Sequence, residues 1–130
     1  MLLFGHRFIT SKPFYHIFDL ESIEHTPPSS TLYVEFCETN LDIIGHLSLN
    51  AIPFALSVQT INELIYGENF GASYLVVDQK LAKTAQSIAE NYLFDAKILT
   101  HITKDETIEE MALLGIDGVI FPEAIIKINA

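Results

Sequence analysis

Cysteine and basic residues are scarce in this chain of 130 residues. Cys37 is the one cysteine, so no disulfide bond can form within the chain, and a reducing cytoplasm is the expected location. Seven Lys and Arg residues stand against 17 Asp and Glu residues, which gives a net charge of −10. Because that charge repels phosphate backbones and anionic lipid head groups, we expect neither nucleic acid nor a membrane as a partner.

Long apolar runs are also missing. The apolar residues 1–4 are interrupted at once by Gly5, His6 and Arg7, so we expect neither a signal peptide nor a membrane span there. Hydrophobic residues nevertheless make up 49% of the chain. This excess must be buried under helices or in an interface, and we therefore predict a homodimer or another protein partner.

Strand-like and helical segments alternate from Leu32 onward, at intervals of roughly twenty residues. The strand-like segments are 32–36, 54–58, 74–77, 97–102 and 118–121, and the helical patterns begin near 41, 61, 81 and 108. Such alternation is typical of βα units around a parallel sheet. We predict a three-layer, doubly wound α/β fold with five parallel strands in the order 2-1-3-4-5. A partial (βα) barrel is the alternative, because both architectures share this alternation.

Residues 1–30 are predicted to form an extension and linker ahead of an α/β domain at 31–130. Two strand-like runs, 2–9 and 14–18, flank Thr10-Ser11-Lys12-Pro13, a pattern that predicts a β-hairpin. The adjacent prolines Pro27 and Pro28 favour irregular structure before the first strand of the domain.

Helix boundaries are marked by capping residues and glycines. The sequences from Thr60 to Glu63 and from Thr103 to Glu106 both fit the capping box of a helix start. Gly71 and Gly115 stand where two helices are expected to end, in the left-handed conformation that glycine adopts at least cost.

Polar residues follow the predicted strands at the edge where ligands bind in parallel α/β sheets. They are Glu35, Cys37, Glu38, Ser57, Gln59, Asp78, Thr100, His101, Pro122 and Glu123. We select Glu38, Asp78, Thr100, His101 and Glu123 as the candidate binding rim, because acids with a hydroxyl and a histidine suit cation binding or acid–base work. Asp78 also fits a helix N-cap, and His101 fits a hydrogen-bonded structural histidine. No metal ligands are assigned, since the other histidines lack metal-ligand spacing.

A receiver-like pattern runs through residues 51–128. It consists of Lys97-Ile98-Leu99-Thr100, then Asp105-Glu106, then the stretch Met111-Ala112-Leu113-Leu114-Gly115-Ile116-Asp117-Gly118-Val119-Ile120-Phe121-Pro122. This part of the chain resembles the bacterial response-regulator receiver domain. The resemblance implies that Asp78 stands at the phosphoacceptor position and Thr100 at the switch hydroxyl.

The departures from the receiver pattern concern its chemistry. The stretch Glu35-Phe36-Cys37-Glu38 lacks the adjacent acidic pair that holds Mg²⁺ in receivers, and Phe121 and Pro122 occupy the place of the family's lysine. The Pro-x-x-Asp-Gly loop after the phosphoacceptor is missing too. The resemblance therefore implies a degenerate receiver that is not switched by phosphorylation.

A second pattern lies at the two ends of the chain. Gly5-His6-Arg7 follows the first apolar run, and Gly115-Ile116-Asp117-Gly118 precedes the last predicted strand. These motifs resemble those of glycerophosphodiester phosphodiesterases, which are (βα) barrel enzymes. The Glu-x-Asp metal pair and the second catalytic histidine of that family have no counterpart, and 130 residues are too few for a full barrel.

The function predicted from the sequence is a non-catalytic, receiver-like interaction or regulatory module with no cofactor and no catalytic residues. The alternative is a small metal-assisted hydrolase or phosphodiesterase-like enzyme that uses the rim carboxylates and His101. The sequence leaves both open, because no motif in it forms a complete reactive set.

Overall fold

Eight strands and four α-helices lie in residues 1–128, the part of the chain that the computed structural model describes, and they alternate over residues 31–120. The strands are β1 (Leu2–Phe4), β2 (Phe14–His16), β3 (Thr31–Glu35), β4 (Phe54–Ser57), β5 (Tyr74–Val77), β6 (Lys97–His101), β7 (Gly118–Ile120) and β8 (Ile125–Lys127). The helices are α1 (Leu41–Leu49), α2 (Ile61–Asn69), α3 (Gln79–Asn91) and α4 (Glu106–Leu113), with short 3₁₀ turns at Glu21–His25, Glu38–Asn40 and Pro122–Ala124. None of these helices is long and apolar enough to cross a membrane.

All strands lie in one parallel sheet, in the order β1-β7-β6-β5-β4-β3-β2-β8. The α/β class and the parallel sheet are confirmed, but the prediction of five strands in the order 2-1-3-4-5 is wrong. The five predicted strands are β3 to β7, and they lie side by side in chain order. The predicted order places β4 on one side of β3 and β5 on the other. In the structure, β2 lies on the side of β3 that is predicted for β5. The sheet curls into a half-barrel, which is the alternative that the alternation allowed.

The two N-terminal strands exist, but the predicted hairpin between them is wrong. β1 pairs in parallel with β7, whereas β2 pairs in parallel with β3 and β8. A hairpin needs antiparallel neighbours, and residues 5–13 instead return the chain so that both strands run the same way. The extension therefore contributes strands to the same sheet as the rest of the chain.

The two faces of the sheet have separate cores because successive side chains of a strand point to opposite sides. Leu32, Val34, Leu56, Leu75 and Ile98 face the helices in one core. The other face buries a smaller core inside the curl, made of Phe14, Tyr33, Ala55, Val76, Leu99, Ile120 and Ala124.

Three aromatic rings fill the inside of the curl. Phe4, Phe14 and Tyr74 meet edge to face, with ring centroids 5.0 to 5.5 Å apart. Edge-to-face contacts of this kind add to the free energy of burial, because the positive ring edge meets the negative face. The inside of the curl is therefore filled by side chains where these three rings lie. The polar side chains on this face lie further along, at the carboxyl ends of the strands.

Helix starts agree with the sequence at two positions and differ at a third. At α2 the Thr60 hydroxyl accepts from the Glu63 amide at 3.2 Å, and the Glu63 carboxylate accepts from the Gln59 amide at 3.0 Å. At α3 the Asp78 carboxylate accepts from the Leu81 amide at 2.9 Å, as an N-cap does. The capping box predicted from Thr103 is wrong, because α4 begins at Glu106 after Asp105, and no side chain caps it.

Candidate functional site

A polar pocket opens at the carboxyl ends of the strands. Its volume is about 360 Å³, and it is lined by His16, Tyr33, Glu35, Ser57, His101, Pro122, Ile125 and Lys127. Five of these residues stand two positions after a residue of the inner core. Because every second side chain of a strand points to the same face, these five also point into the curl. The pairs are Phe14 and His16, Tyr33 and Glu35, Ala55 and Ser57, Leu99 and His101, and Ile125 and Lys127. We call this pocket the mouth of the sheet.

A tyrosine and a histidine are hydrogen-bonded across the mouth. The Tyr33 hydroxyl lies 2.9 Å from Nε2 of His101, and Tyr33 is only 4% exposed. The two residues belong to β3 and β6, which are separated by β4 and β5 in the sheet. The bond therefore spans the concave side of the curl.

Both partners of this hydrogen bond hold their neutral forms. Burial lowers the pKa of His101, and the charges of Asp78 and Glu35 oppose that shift. Burial also raises the pKa of Tyr33, an effect opposed by the Ser57 hydroxyl and strengthened by Glu35. At neutral pH the pair is an uncharged imidazole beside an uncharged phenol, which can exchange one proton along one hydrogen bond.

His16 is a second buried imidazole in the mouth. Its ring stacks on Phe18, with 4.2 Å between centroids, and meets Tyr33 edge to face at 4.8 Å. Burial lowers the pKa of His16, Glu35 acts to raise it, and Lys127 acts to lower it further. The mouth therefore contains two neutral histidines together with a carboxylate and an ammonium group.

The rim residues selected from the sequence fall in different surroundings. His101 lines the mouth, and Asp78 lies close enough to influence its charge while capping α3. Thr100 is fully buried, where its hydroxyl donates to the Val77 carbonyl at 3.0 Å. Glu38 is exposed at the start of a 3₁₀ turn, and Glu123 lines a different pocket.

The pocket beside Glu123 is organised around Asp105. It has a volume of about 320 Å³, and its lining includes His6 and Arg7. The Asp105 carboxylate lies 3.2 Å from Nε2 of His6 and 3.2 Å from Nη1 of Arg7. Because Nδ1 of His6 accepts from the Phe8 amide at 3.1 Å, the ring proton is on Nε2 and donates to Asp105. These contacts fasten the segment after β1 to the start of α4.

His16, Tyr33 and Lys127 were missed by the sequence reasoning. Alternation is a signal for His16 and Lys127, since each stands in a short strand two positions after an apolar residue, Phe14 or Ile125. Tyr33 has Thr31 and Glu35 at that spacing, so alternation gives no signal for it. The strands β2 and β8 are three residues long, which is too short for this alternation to be distinguished from chance in the sequence alone.

Metal-ligating side chains are spread out in residues 1–128, and no group of three or more His, Cys, Asp or Glu residues there is arranged to hold a metal ion. Comparisons with known protein families and with curated proteins give no match to this sequence.

Proposed function

We propose that the mouth of the sheet binds a small polar molecule and acts on it by general acid–base catalysis. The observation that carries the proposal is the hydrogen bond of 2.9 Å between Tyr33 and His101 inside a shared pocket. Two neutral imidazoles and a protonated phenol are suitable proton acceptors and donors near neutral pH. Hydrolysis of an ester or phosphodiester is the reaction class that we assign to this set.

The side chains of the mouth have complementary parts in such a reaction. The neutral His101 ring takes a proton from a water whose oxygen bonds to the ester carbon or phosphorus, and the Tyr33 phenol gives its proton to the leaving oxygen as the ester bond breaks. The proton on His101 then passes to the Tyr33 phenolate along their hydrogen bond, which restores both neutral forms. Ser57 and His16 supply further hydrogen bonds to the ligand.

The strand order supports a barrel-type enzyme over a receiver. β1 lies directly beside β7, so the segments Gly5-His6-Arg7 and Gly115-Ile116-Asp117-Gly118 flank two neighbouring strands. In (βα) barrels, the architecture of the phosphodiesterases that these motifs resemble, the first strand likewise lies beside a strand from late in the chain. The sheet here stays open, because β8 lies at the edge opposite β1. In a receiver, the first strand lies between the second and the third. The corresponding strand here is β3, and it lies between β2 and β4.

A non-catalytic regulatory module remains the alternative, and it predicts that the mouth binds without turnover. For either function we propose a cytoplasmic homodimer. The lone cysteine and the exposed leucines support these two proposals, since Leu49, Leu93 and Leu113 are each more than 80% exposed.

The proposed activity is tested with p-nitrophenyl acetate and bis(p-nitrophenyl) phosphate at about pH 7.5, where both histidines of the mouth are neutral. We expect the full-length chain to hydrolyse one of them faster than free imidazole at equal concentration. His101→Gln and Tyr33→Phe should each lower that rate by about 10²-fold or more. His25→Gln is the matched control, because His25 is exposed and lies outside the mouth.

Two results contradict the proposal. In one, the wild-type chain is no faster than imidazole on both substrates. In the other, His101→Gln and Tyr33→Phe retain the wild-type rate while remaining folded by circular dichroism.

A further inference from the structure

The mouth contains two opposite charges that do not neutralise each other. Glu35 ends β3 and Lys127 ends β8, and both line the pocket. Within the described residues the contacts close enough for an ion pair all involve Asp105, with Arg7 and the neutral His6 as its partners. Glu35 and Lys127 therefore do not pair with each other.

The sheet register explains this separation. Lys127 lies beside His16 in the pairing of β8 with β2, and His16 lies beside Tyr33 in the pairing of β2 with β3. Glu35 stands two residues beyond Tyr33 on the same face. The His16 ring is therefore between the carboxylate and the ammonium group, and the electrostatic influence of both reaches it.

The walls of the mouth differ in polarity. Pro122 and Ile125 give an apolar wall, while Ser57 and the two histidines give hydrogen-bonding groups. The volume of about 360 Å³ is near the lower end of ligand pockets, which run from roughly 300 to 1,000 Å³. The site therefore suits a ligand with few heavy atoms.

We infer that the ligand is a small zwitterion of the α-amino acid type. Its ammonium group lies toward Glu35, its carboxylate toward Lys127, and its side chain against Pro122 and Ile125. A ligand with a single charge meets one like charge in the mouth, and a sugar leaves both charges uncompensated, so a zwitterion complements the site best. This inference rests on the proposed function of the mouth and narrows its substrate to an ester on the side chain of an amino acid, because a phosphodiester would bring a single negative charge.

The test titrates the full-length chain with the common free L-amino acids, one at a time. The ring signals of His16 and His101 are followed by NMR. We expect at least one amino acid to shift both signals saturably, and acetate, n-butylamine, glucose and inorganic phosphate to bind at least about 10-fold more weakly. The same amino acid should inhibit hydrolysis of the p-nitrophenyl substrates.

Charge-removing variants test the orientation. Glu35→Gln and Lys127→Met should each weaken amino-acid binding by about 10-fold or more, because each removes a charge-assisted contact. Glu109→Gln and Lys83→Met are matched controls on exposed helix positions and should bind like the wild type.

The possible failures can be told apart. If hydrolysis occurs but no amino acid binds up to about 10 mM, or glucose or phosphate binds more tightly, the ligand class is overturned and the acid–base function stands. If amino acids bind without any hydrolysis, the catalytic proposal fails and the ligand class stands. The proposed orientation of the zwitterion is overturned if the amino acid binds equally tightly to the wild type, Glu35→Gln and Lys127→Met.

Discussion

The Tyr33 hydroxyl and Nε2 of His101 are 2.9 Å apart although their strands are not neighbours in the sheet. The contact exists because the sheet curls, so that side chains on the concave face of β3 and β6 point toward each other. A flat sheet would separate these strands by three strand spacings of about 4.8 Å each. The same curvature that gives the sheet an inner core thus assembles the polar mouth above it.

Removing the phenolic hydroxyl should destabilise the folded chain. Tyr33→Phe leaves Nε2 of the partly buried His101 without its protein partner, so we expect the free energy of unfolding to fall by about 1–3 kcal/mol. Urea denaturation measures the change. Tyr92→Phe is the control, because Tyr92 is 75% exposed, and its loss should stay within about 0.5 kcal/mol. Equal changes in the two variants would contradict the structural importance of the bond.

Mild acid should destabilise the protein through the two histidines of the mouth. The pKa values of His16 and His101 are both lowered in the folded state, so below the ordinary histidine pKa of about 6.5 the unfolded chain binds more protons. Stability is therefore unaffected by these groups above that pH and falls as the pH drops through it. Urea denaturation between about pH 7.5 and pH 5 should show this slope, and His16→Gln combined with His101→Gln should flatten it. An unchanged slope in the double variant would refute this origin.

Two helix glycines should respond oppositely to alanine. A Cβ on Gly67 of α2 would collide with the Leu75 side chain and lie 3.0 Å from that of Leu56, so Gly67→Ala should cost about 1–3 kcal/mol. A Cβ on Gly45 of α1 meets nothing within 4 Å, so Gly45→Ala should stabilise the helix by about 0.5–1 kcal/mol. Thermal or urea unfolding of both variants checks the opposite signs. A stabilising Gly67→Ala would show that α2 packs less closely on the sheet.

The two basic residues that contact Asp105 should differ in importance. The His6 side chain is 7% exposed and packs edge to face on Phe8 and Phe121, whereas the Arg7 side chain is 67% exposed. We expect His6→Ala to cost about 2 kcal/mol through lost packing and hydrogen bonds, and Arg7→Ala less than about 1 kcal/mol. Unfolding by urea measures both. A larger loss for Arg7→Ala would mean that the ion pair, and not the buried ring, fastens this segment.

The proposed dimer should depend on apolar groups at the helix carboxyl ends. Leu93 follows α3 with φ at +54° and is 85% exposed, a position where leucine is strained and packs on little within the chain. Asparagine tolerates this backbone conformation, so Leu93→Asn should preserve folding while weakening self-association. Sedimentation at tens of micromolar protein should give a dimer for the wild type and more monomer for Leu93→Asn. A wild-type monomer under these conditions would remove the proposal.

The sequence was sufficient for elements whose signals are local. The βα alternation from Leu32 onward, the cap of Asp78 and the left-handed glycines Gly71 and Gly115 all agree with the structure. Each depends on neighbouring residues and on backbone conformation, which are properties of a short segment. The cap predicted from Thr103 is wrong, since α4 begins at Glu106, and Asp105 before it contacts residues almost a hundred positions away, His6 and Arg7.

The sequence by itself determined that apolar strands alternate with amphipathic helices and that polar residues follow the strands. Only the tertiary structure decided the strand order, the separation of β1 from β2 and the meeting of His16, Tyr33, His101 and Lys127 in one mouth. The physical reason is that periodicity fixes which way a side chain points within its own strand. Strand pairing and curvature are set by contacts between distant segments, and they decide which side chains face each other.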